Sequence, residues 1–418
     1  MPRAFFLLLG VQFLSTLADN AFLIVAIARV LELSGPGWLI PLLKISFTLF
    51  YVLLAPFVGP LADAFPKGRV MLLANALKVV AMLLLLAGCS PVLAIGLAGL
   101  GSAIYAPAKY GLITELLPPR DLVRANGFFE GTTVCAVIFG TVLGGLLVSP
   151  WMPRFQLPFV TLTAGVTPTA LIAGMLVLLA MNTLAMLLSI AVVDSGARYD
   201  PHSIHPRALL QRFWLENALL WRDPLGGLSM SVTTLLWGVG ATLQLIVLRW
   251  AHEALGLPLA QAAYLQGVTA LGVVAGAALA SRYVRLAHAQ RLLPVGIAMG
   301  LLVPLMLCIS SPWTAALLLI VVGGLAGFFV VPMNALLQHR GCTLLTAGRS
   351  VAVQGFNENG GMLVMLGVYA AAIALDLPLS LLVLGFAVLV SGGMLLIWLA
   401  QWRLRHAMSV ADKAQAVS

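Results

Sequence analysis

Asp19 and Asn20 sit in the middle of an otherwise apolar run that continues to Val30. A carboxylate near the centre of a membrane helix costs about 2.5 to 3.5 kcal/mol on insertion scales, so Asp19 is expected to face a polar interior. Three chemistries fit it there: binding a ligand, carrying a proton, or tying neighbouring helices together. A second polar set is Gln354, Asn357, Glu358 and Asn359. Positions 354 and 358 are four apart and share a helix face, with 357 adjoining, so this stripe is expected to line a cavity. Glu130 follows Gly127-Phe128-Phe129 much as Glu358 follows Gly355-Phe356-Asn357. Negative charge near a helix N-terminus is stabilised by the macrodipole, so capping accounts for Glu130 as well as a functional role does. Among the basic groups, Lys109 lies between Tyr105-Ala106-Pro107-Ala108 and Tyr110, beside a proline-distorted helix, and is a candidate for meeting an anionic ligand. Lys44, Lys78 and Arg249 are expected to snorkel to the nearer interface. Tyr51, Trp237 and Phe356 are weaker candidates for lining a path, because aromatic residues in such helices more often serve packing.

These residues recur at a fixed interval. Pro107 and Pro332 are 225 positions apart, and Glu130 and Glu358 are 228 apart. Applied to Asp19, the 225 offset lands on Gln244, a polar residue in the middle of another apolar segment. The chain therefore reads as an internal duplication with polar groups at equivalent depths. A transporter builds a central site between repeats in this way.

The elements that must hold these groups are membrane helices. The composition is 61% hydrophobic and 9% charged, against roughly 25% charged residues in soluble domains. Runs of about 20 residues, enough to cross a bilayer, fall near 4–31, 38–62, 69–88, 91–116, 121–149, 164–194, 224–250, 258–285, 289–310, 313–338, 345–373 and 376–404. Twelve spans divide into six plus six: an N-terminal bundle over 1–194, a linker over 195–223, a C-terminal bundle over 224–405 and a tail over 406–418. The 150–167 stretch, with Pro150, Pro153 and Pro158, has no functional account and could hide a re-entrant piece. The first segment is expected to be an uncleaved helix rather than a signal, because its apolar run continues past Asp19.

Basic residues set the orientation. Of the 23 Lys and Arg, Arg29, Arg154 and Arg249 fall on one side, Lys44 and Lys78 fall within spans, and the others lie on the side of both termini. Both ends are expected to be cytoplasmic. That asymmetry, with attraction to anionic lipids, accounts for the formal charge of +9 and leaves a nucleic-acid partner little support. The charged linker, with Asp194, Arg198, Asp200, His202, His205, Arg207, Arg212, Glu216, Arg222 and Asp223, suits two bundles that rock against each other.

Other patterns point to packing. Gly96-Leu97-Ala98-Gly99-Leu100-Gly101 lies within an apolar run with no strand before it, unlike a dinucleotide fingerprint. Gly140 and Gly144 form a small-xxx-small contact. His202 and His205 lack companions for a metal site, and Cys89, Cys135, Cys308 and Cys342 are scattered singly. No phosphate-binding Gly-x-x-x-x-Gly-Lys run is present, and His339 has no acid within its own loop, which counts against a membrane-embedded acyltransferase. An enzyme is not expected, nor a cofactor or metal.

The loop Gly59-Pro60-Leu61-Ala62-Asp63-Ala64-Phe65-Pro66-Lys67-Gly68-Arg69 resembles the loop motif of the major facilitator superfamily. Its counterpart in the second half, Leu279-Ala280-Ser281-Arg282, keeps the frame but has serine for the acid. Further stretches resemble the bacterial lysophospholipid transporter family: Ala18-Asp19-Asn20-Ala21, Ala55-Pro56-Phe57-Val58-Gly59, Tyr105-Ala106-Pro107-Ala108-Lys109-Tyr110-Gly111 and Val331-Pro332-Met333-Asn334-Ala335-Leu336-Leu337-Gln338. The resemblance covers nearly the whole chain in order and spacing. It implies an all-α membrane protein of twelve transmembrane helices in a bacterial inner membrane. Such a protein would move lysophosphatidylethanolamine and lysophosphatidylglycerol from the periplasmic side to the cytoplasmic leaflet, where a separate acyltransferase restores the second chain. One departure stands out. Where that family carries an arginine in the seventh helix, this chain has Thr242-Leu243-Gln244-Leu245, so a phosphate clamp there is in doubt.

The expected mechanism is alternating access. Asp19, Asn20, Gln244, Gln354, Asn357 and Glu358 would solvate the head group, Lys109 would attract phosphate, and Tyr51 and Trp237 would line the path. Asp63, Lys67, Arg69, Arg124 and Glu130 would gate the cytoplasmic side. The rival reading is a proton-coupled exporter of amphiphilic drugs, with Asp19 or Glu358 carrying the proton.

Overall fold

The computed structural model describes residues 3–34, 39–149, 169–192, 194–197, 199, 205–257 and 259–417. The 150–167 stretch, including Arg154, and linker residues Arg198, Asp200 and His202 lie outside the described residues. Those described are almost wholly helical: α1 (Arg3–Glu32), α2 (Leu39–Leu53), α3 (Ala55–Ala64), α4 (Lys67–Leu86), α5 (Pro91–Leu116), α6 (Leu122–Leu147), α7 (Thr169–Ile190), α8 (Pro206–Arg222), α9 (Pro224–Glu253), α10 (Leu259–Tyr283), α11 (Leu293–Leu302), α12 (Pro312–Leu344), α13 (Ala347–Ala374) and α14 (Leu379–Val417). A membrane core forces this choice, since a helix satisfies every backbone N–H and C=O within its own segment.

Among the described residues, ten helical segments are long and apolar enough to cross a bilayer, and α2 with α3 makes an eleventh as a pair bent by 64°. The expected span over 38–62 is bent at Leu54. Pro56 is the cause: it has no N–H to give the preceding turn, and its ring clashes with the carbonyl four residues back. Pro107 and Pro332 lie inside α5 and α12 without splitting them. The remaining long helix, α13, has 28 residues, ample length for a span, but its first half carries Arg349, Gln354, Asn357, Glu358 and Asn359. The expected 289–310 span is α11 flanked by 3-10 turns over Leu286–Leu292 and Val303–Cys308.

The helices gather into two compact units. One comprises Met1–Pro118, Thr132–Trp214 and Leu345–Phe356. Its apolar core joins Phe22 and Val25 of α1, Leu43 of α2, Met82 and Leu85 of α4, Ile95 of α5 and Leu178 of α7. In this unit α6 lies close on α1, with Gly140 against the Leu17 carbonyl and Gly144 against Ile24, as the small-residue spacing predicts. Gly99 and Gly101 likewise face the backbone of Phe47 and Ala74, so that run serves packing.

The other unit comprises Pro119–Gly131, Leu215–Leu344 and Asn357–Ser418. Its core joins Trp250 of α9, Phe329 of α12, and Phe386, Val390 and Met394 of α14. Here α10 and α12 meet backbone to backbone: a Cβ on Gly276 would strike the Gly324 carbonyl, and one on Gly327 the Val273 carbonyl. Without a hydrophobic driving force between helices in lipid, such close packing supplies the attraction. Large apolar side chains on outer faces, among them Leu73, Leu93, Val388 and Leu396, are exposed, as hydrocarbon contact requires.

Candidate functional site

Three helices of the first unit bring polar groups together around Asp19. On α1, Gln12, Ser15 and Asp19 follow one another at intervals of three and four and so share a face. α4 adds Asn75 and Lys78 at an interval of three, and α5 adds Ser102 and Tyr105 in the same way. Lys78 Nζ stands 2.6 Å from Asp19 Oδ2 and donates to Ser15 Oγ at 2.9 Å. Ser102 donates to the same carboxylate oxygen at 2.9 Å. Ser15 in turn donates to Asn75 Oδ1 at 2.9 Å, and Asn75 Nδ2 donates to Ser189 Oγ at 3.0 Å. Tyr51 of α2 lies near Ser102.

Lys78 does not snorkel. It is 2% exposed and lies eight residues from the nearer end of α4, about 12 Å, beyond the reach of its own side chain. Asp19 supplies its counter-charge, and removing one member of a buried pair costs about 3–5 kcal/mol. The Asp19 side chain is 13% exposed, and its lysine partner was not foreseen from the sequence. The signal was present, since an unaccompanied lysine in mid-span needs a counter-charge.

Other candidates of this unit take varied places. Asn20 donates to the Thr16 carbonyl of its own helix at 2.8 Å. Lys109 is buried, 4.3 Å from the centroid of the Tyr110 ring and 5.8 Å from that of Tyr105, close enough for cation–π attraction. Gln354 is buried. Lys44 is exposed, in keeping with a snorkelling side chain.

The loop motif forms a second polar centre in the same unit. The Asp63 side chain is fully buried and meets the first turn of α13: Gly348 N donates to it at 2.9 Å, Arg349 N at 3.3 Å, and the Thr346 hydroxyl donates as well. A carboxylate on the unpaired N–H groups of a helix start is favoured by both hydrogen bonding and the macrodipole. Gly348 is needed for the approach, because a Cβ there would lie 2.7 Å from Asp63 Oδ1. Lys67 Nζ is 3.6 Å from Asp63 and 2.5 Å from Glu115 Oε1. Glu115 also accepts from Ser195 at 2.5 Å and Tyr199 at 2.8 Å. Glu115 was not foreseen; it lies at the end of α5, far in sequence from the loop. Arg69 is exposed.

In the second unit, Glu130 is the ninth residue of α6, beyond the first turn where capping acts. It instead accepts from Asn334 Nδ2 of α12 at 3.1 Å. One turn away, Asn126 and Gln338 exchange two hydrogen bonds, at 2.9 and 3.0 Å, with both side chains buried. These amides also escaped the sequence reading. Arg124 is exposed, its guanidinium 5.9 Å from the Phe128 ring centroid.

Gln244 donates to Gln266 Oε1 at 2.9 Å and accepts at its backbone carbonyl from Gln266 Nε2 at 3.0 Å. Arg249 is paired with Glu253 at 2.6 Å. Trp237 Nε1 is buried without a hydrogen-bond partner. Glu358 is buried, but Asn357 does not extend its stripe: it donates to Asn217 at 2.8 Å and accepts from Trp221 at 3.0 Å, both on α8. Asp223 caps α9 through Gly226 N at 2.7 Å and takes Arg340 Nη2 at 2.5 Å. The Arg340 hydrogen bond holds the Asp223 carboxyl below the usual carboxylate range. Among the described residues, no three of His, Cys, Asp and Glu gather to hold a metal ion.

A multi-pass helical protein with paired charges inside its spans, and an acid-and-base loop clasping the start of a distant helix, has the build of a membrane transporter. The chain belongs to the Major Facilitator Superfamily, whose family model matches residues 7–357. It is 38% identical over 379 residues to the Lysophospholipid transporter LplT of Yersinia pestis (strain Pestoides F), covering 90% of this chain and 89% of the relative. The LplT of Yersinia pseudotuberculosis serotype O:3 (strain YPIII) matches to the same extent. The fold is similar to the crystal structure of a Major Facilitator Superfamily transporter, FucP, in the outward conformation, with a TM-score of 0.72 at 13% identity, covering 95% of this chain and 98% of that one. With the family and these relatives all transporters, the chain is a transporter and not an enzyme.

Proposed function

We propose that this chain is a lysophospholipid flippase of a bacterial inner membrane. It carries lysophosphatidylethanolamine and lysophosphatidylglycerol from the periplasmic side to the cytoplasmic leaflet by alternating access, both termini being cytoplasmic. An acyltransferase then restores the second chain. The similarity to transporters named for lysophospholipids supports the substrate class. The single structural observation that carries the reading is the Asp19–Lys78 ion pair in the middle of membrane helices. Polar groups of both signs at that depth suit a head group with both signs, while the tail stays in lipid through a lateral opening.

Gln244 is neutral and paired with Gln266, so phosphate attraction falls to Lys109. Gln354 of the first unit, and Trp237 and Glu358 of the second, are further candidates for contact with the lipid. Asp63, Lys67 and Glu130, held by Gly348, Glu115 and Asn334 respectively, are the contacts that release when the cytoplasmic side opens, with Arg69 and Arg124 at the surface beside them.

Uptake of labelled lysophosphatidylethanolamine into proteoliposomes tests this. The expected result is uptake that persists after the proton gradient is collapsed, because the Asp19 carboxylate is already engaged by Lys78 and Ser102. Uptake abolished by collapse, with export of an amphiphilic dye in its place, would make the chain a proton-coupled exporter instead.

A further inference from the structure

Between α7 and α9, both long and apolar enough to span a membrane, lies α8, a helix of 17 residues. It is joined to α9 by Asp223 alone, whose extended backbone (φ −67°, ψ 128°) turns one helix away from the other. The C-terminal end of α8 is thereby fixed at the membrane surface, where α9 enters the bilayer.

The two faces of α8 differ. Phe213, Glu216 and Leu220, at intervals of three and four, are buried and form its inner face. Leu215 lies about 200° around the helix from Phe213 and is 71% exposed. Leu219 follows on the same side, with Leu210 and Trp214 on the flank, all exposed. Arg207, Arg212 and Arg222 are exposed among them, whereas Glu216, the acid of this helix, is buried. The inner side holds α13: Asn217 accepts from Asn357 at 2.8 Å, and Trp221 donates to Asn357 at 3.0 Å.

Leucine and tryptophan interleaved with arginine suit neither bulk water nor a hydrocarbon core. They fit the boundary between the two, where apolar side chains enter the acyl region and guanidinium groups meet phosphates. A net positive helix is complementary to anionic lipid. The tether to α9 favours lipid over a soluble partner, because it holds this face beside the bilayer at a high effective concentration.

We propose that α8 is an interfacial helix whose outer face seats on anionic phospholipid, and that this seating steadies Asn357 on α13 and so speeds transport. The lipid contact is independent of the cargo; only its effect on uptake rests on the lysolipid reading.

The test places a photoreactive benzoylphenylalanine at position 215, and separately at 219, in the full chain in phosphatidylcholine bilayers containing phosphatidylglycerol. Illumination is expected to give phospholipid adducts in which phosphatidylglycerol is enriched several-fold over its share of the bilayer. The double variant Arg207→Gln with Arg222→Gln is expected to lose that enrichment. Uptake of lysophosphatidylethanolamine by the wild-type chain is expected to run several-fold faster with phosphatidylglycerol than in phosphatidylcholine alone, and the double variant to lose only this stimulation. Adducts to a second copy of the chain, an absence of lipid adducts at both positions, or capture of the two lipids in proportion to their abundance overturns the interfacial seat. Equal wild-type uptake in the two bilayers overturns its effect on transport. Lipid adducts as expected with no lysolipid uptake in either bilayer overturn the flippase reading and leave the seat standing.

Discussion

Asp19 carries the clearest energetic signature of any single side chain here. Paired with Lys78 at 2.6 Å, it is tolerated in a membrane helix; alone, either charge is not. Asp19→Ala and Lys78→Met are each expected to destabilise the protein by about 3–5 kcal/mol, and removal of both charges by less than either single change. Thermal unfolding in detergent measures this, and equal or additive losses would show that the two residues do not act as a pair. The acid was legible because a mid-span carboxylate has few bland explanations. Its partner was not, because snorkelling describes most membrane lysines well and fails only where the helix end is out of reach. Asn20, adjacent in sequence, turns about 100° around the helix from Asp19 and donates to its own backbone.

At the scale of elements, the decisive contacts join a side chain to a helix start. Asp63 stands on the first turn of α13, and Gly348→Ala would set a methyl 2.7 Å from its oxygen, so the carboxylate must withdraw. Transport by this variant is expected to fall several-fold at normal expression, while an alanine at Gly355, which meets nothing within 4 Å, leaves it intact. Equal rates in the two variants would remove Asp63 from the gating set. Asp223, capping α9 and held by Arg340, gives a pH signature. Its folded-state pKa is depressed, so its contribution is full above the unfolded value near 4 and is lost as pH falls through the folded value. The unfolding temperature should therefore drop on acidification below about pH 4, and Asp223→Asn should flatten that drop; a parallel curve for the variant would contradict it. The loop motif was legible because its residues are contiguous. Glu115, Asn126, Asn334 and Gln338 were not, since amides and helix-end acids are unremarkable until folding sets them opposite a partner. Asn126→Ala is expected to cost about 1–3 kcal/mol by leaving the Gln338 amide buried and unmatched.

At the scale of the whole molecule, hydrophobic run length and the repeat of proline and glutamate conveyed the membrane class and helical architecture. The bend at Leu54 and the polar first half of α13 are where simple run-counting fails: a proline divides one span, and buried polar side chains lower the apolarity of another. The central claim is that these helices move a charged head group across the bilayer by offering it a polar site at mid-depth. Proteoliposomes loaded with lysophosphatidylethanolamine in the outer leaflet, then treated with an amine-reactive reagent that cannot cross the membrane, measure that movement directly. The account predicts that the wild-type chain withdraws the amine from the reagent over time and that an Asp19→Ala protein, equally inserted, does not. Full labelling with the wild-type chain, or equal protection by both, would contradict it.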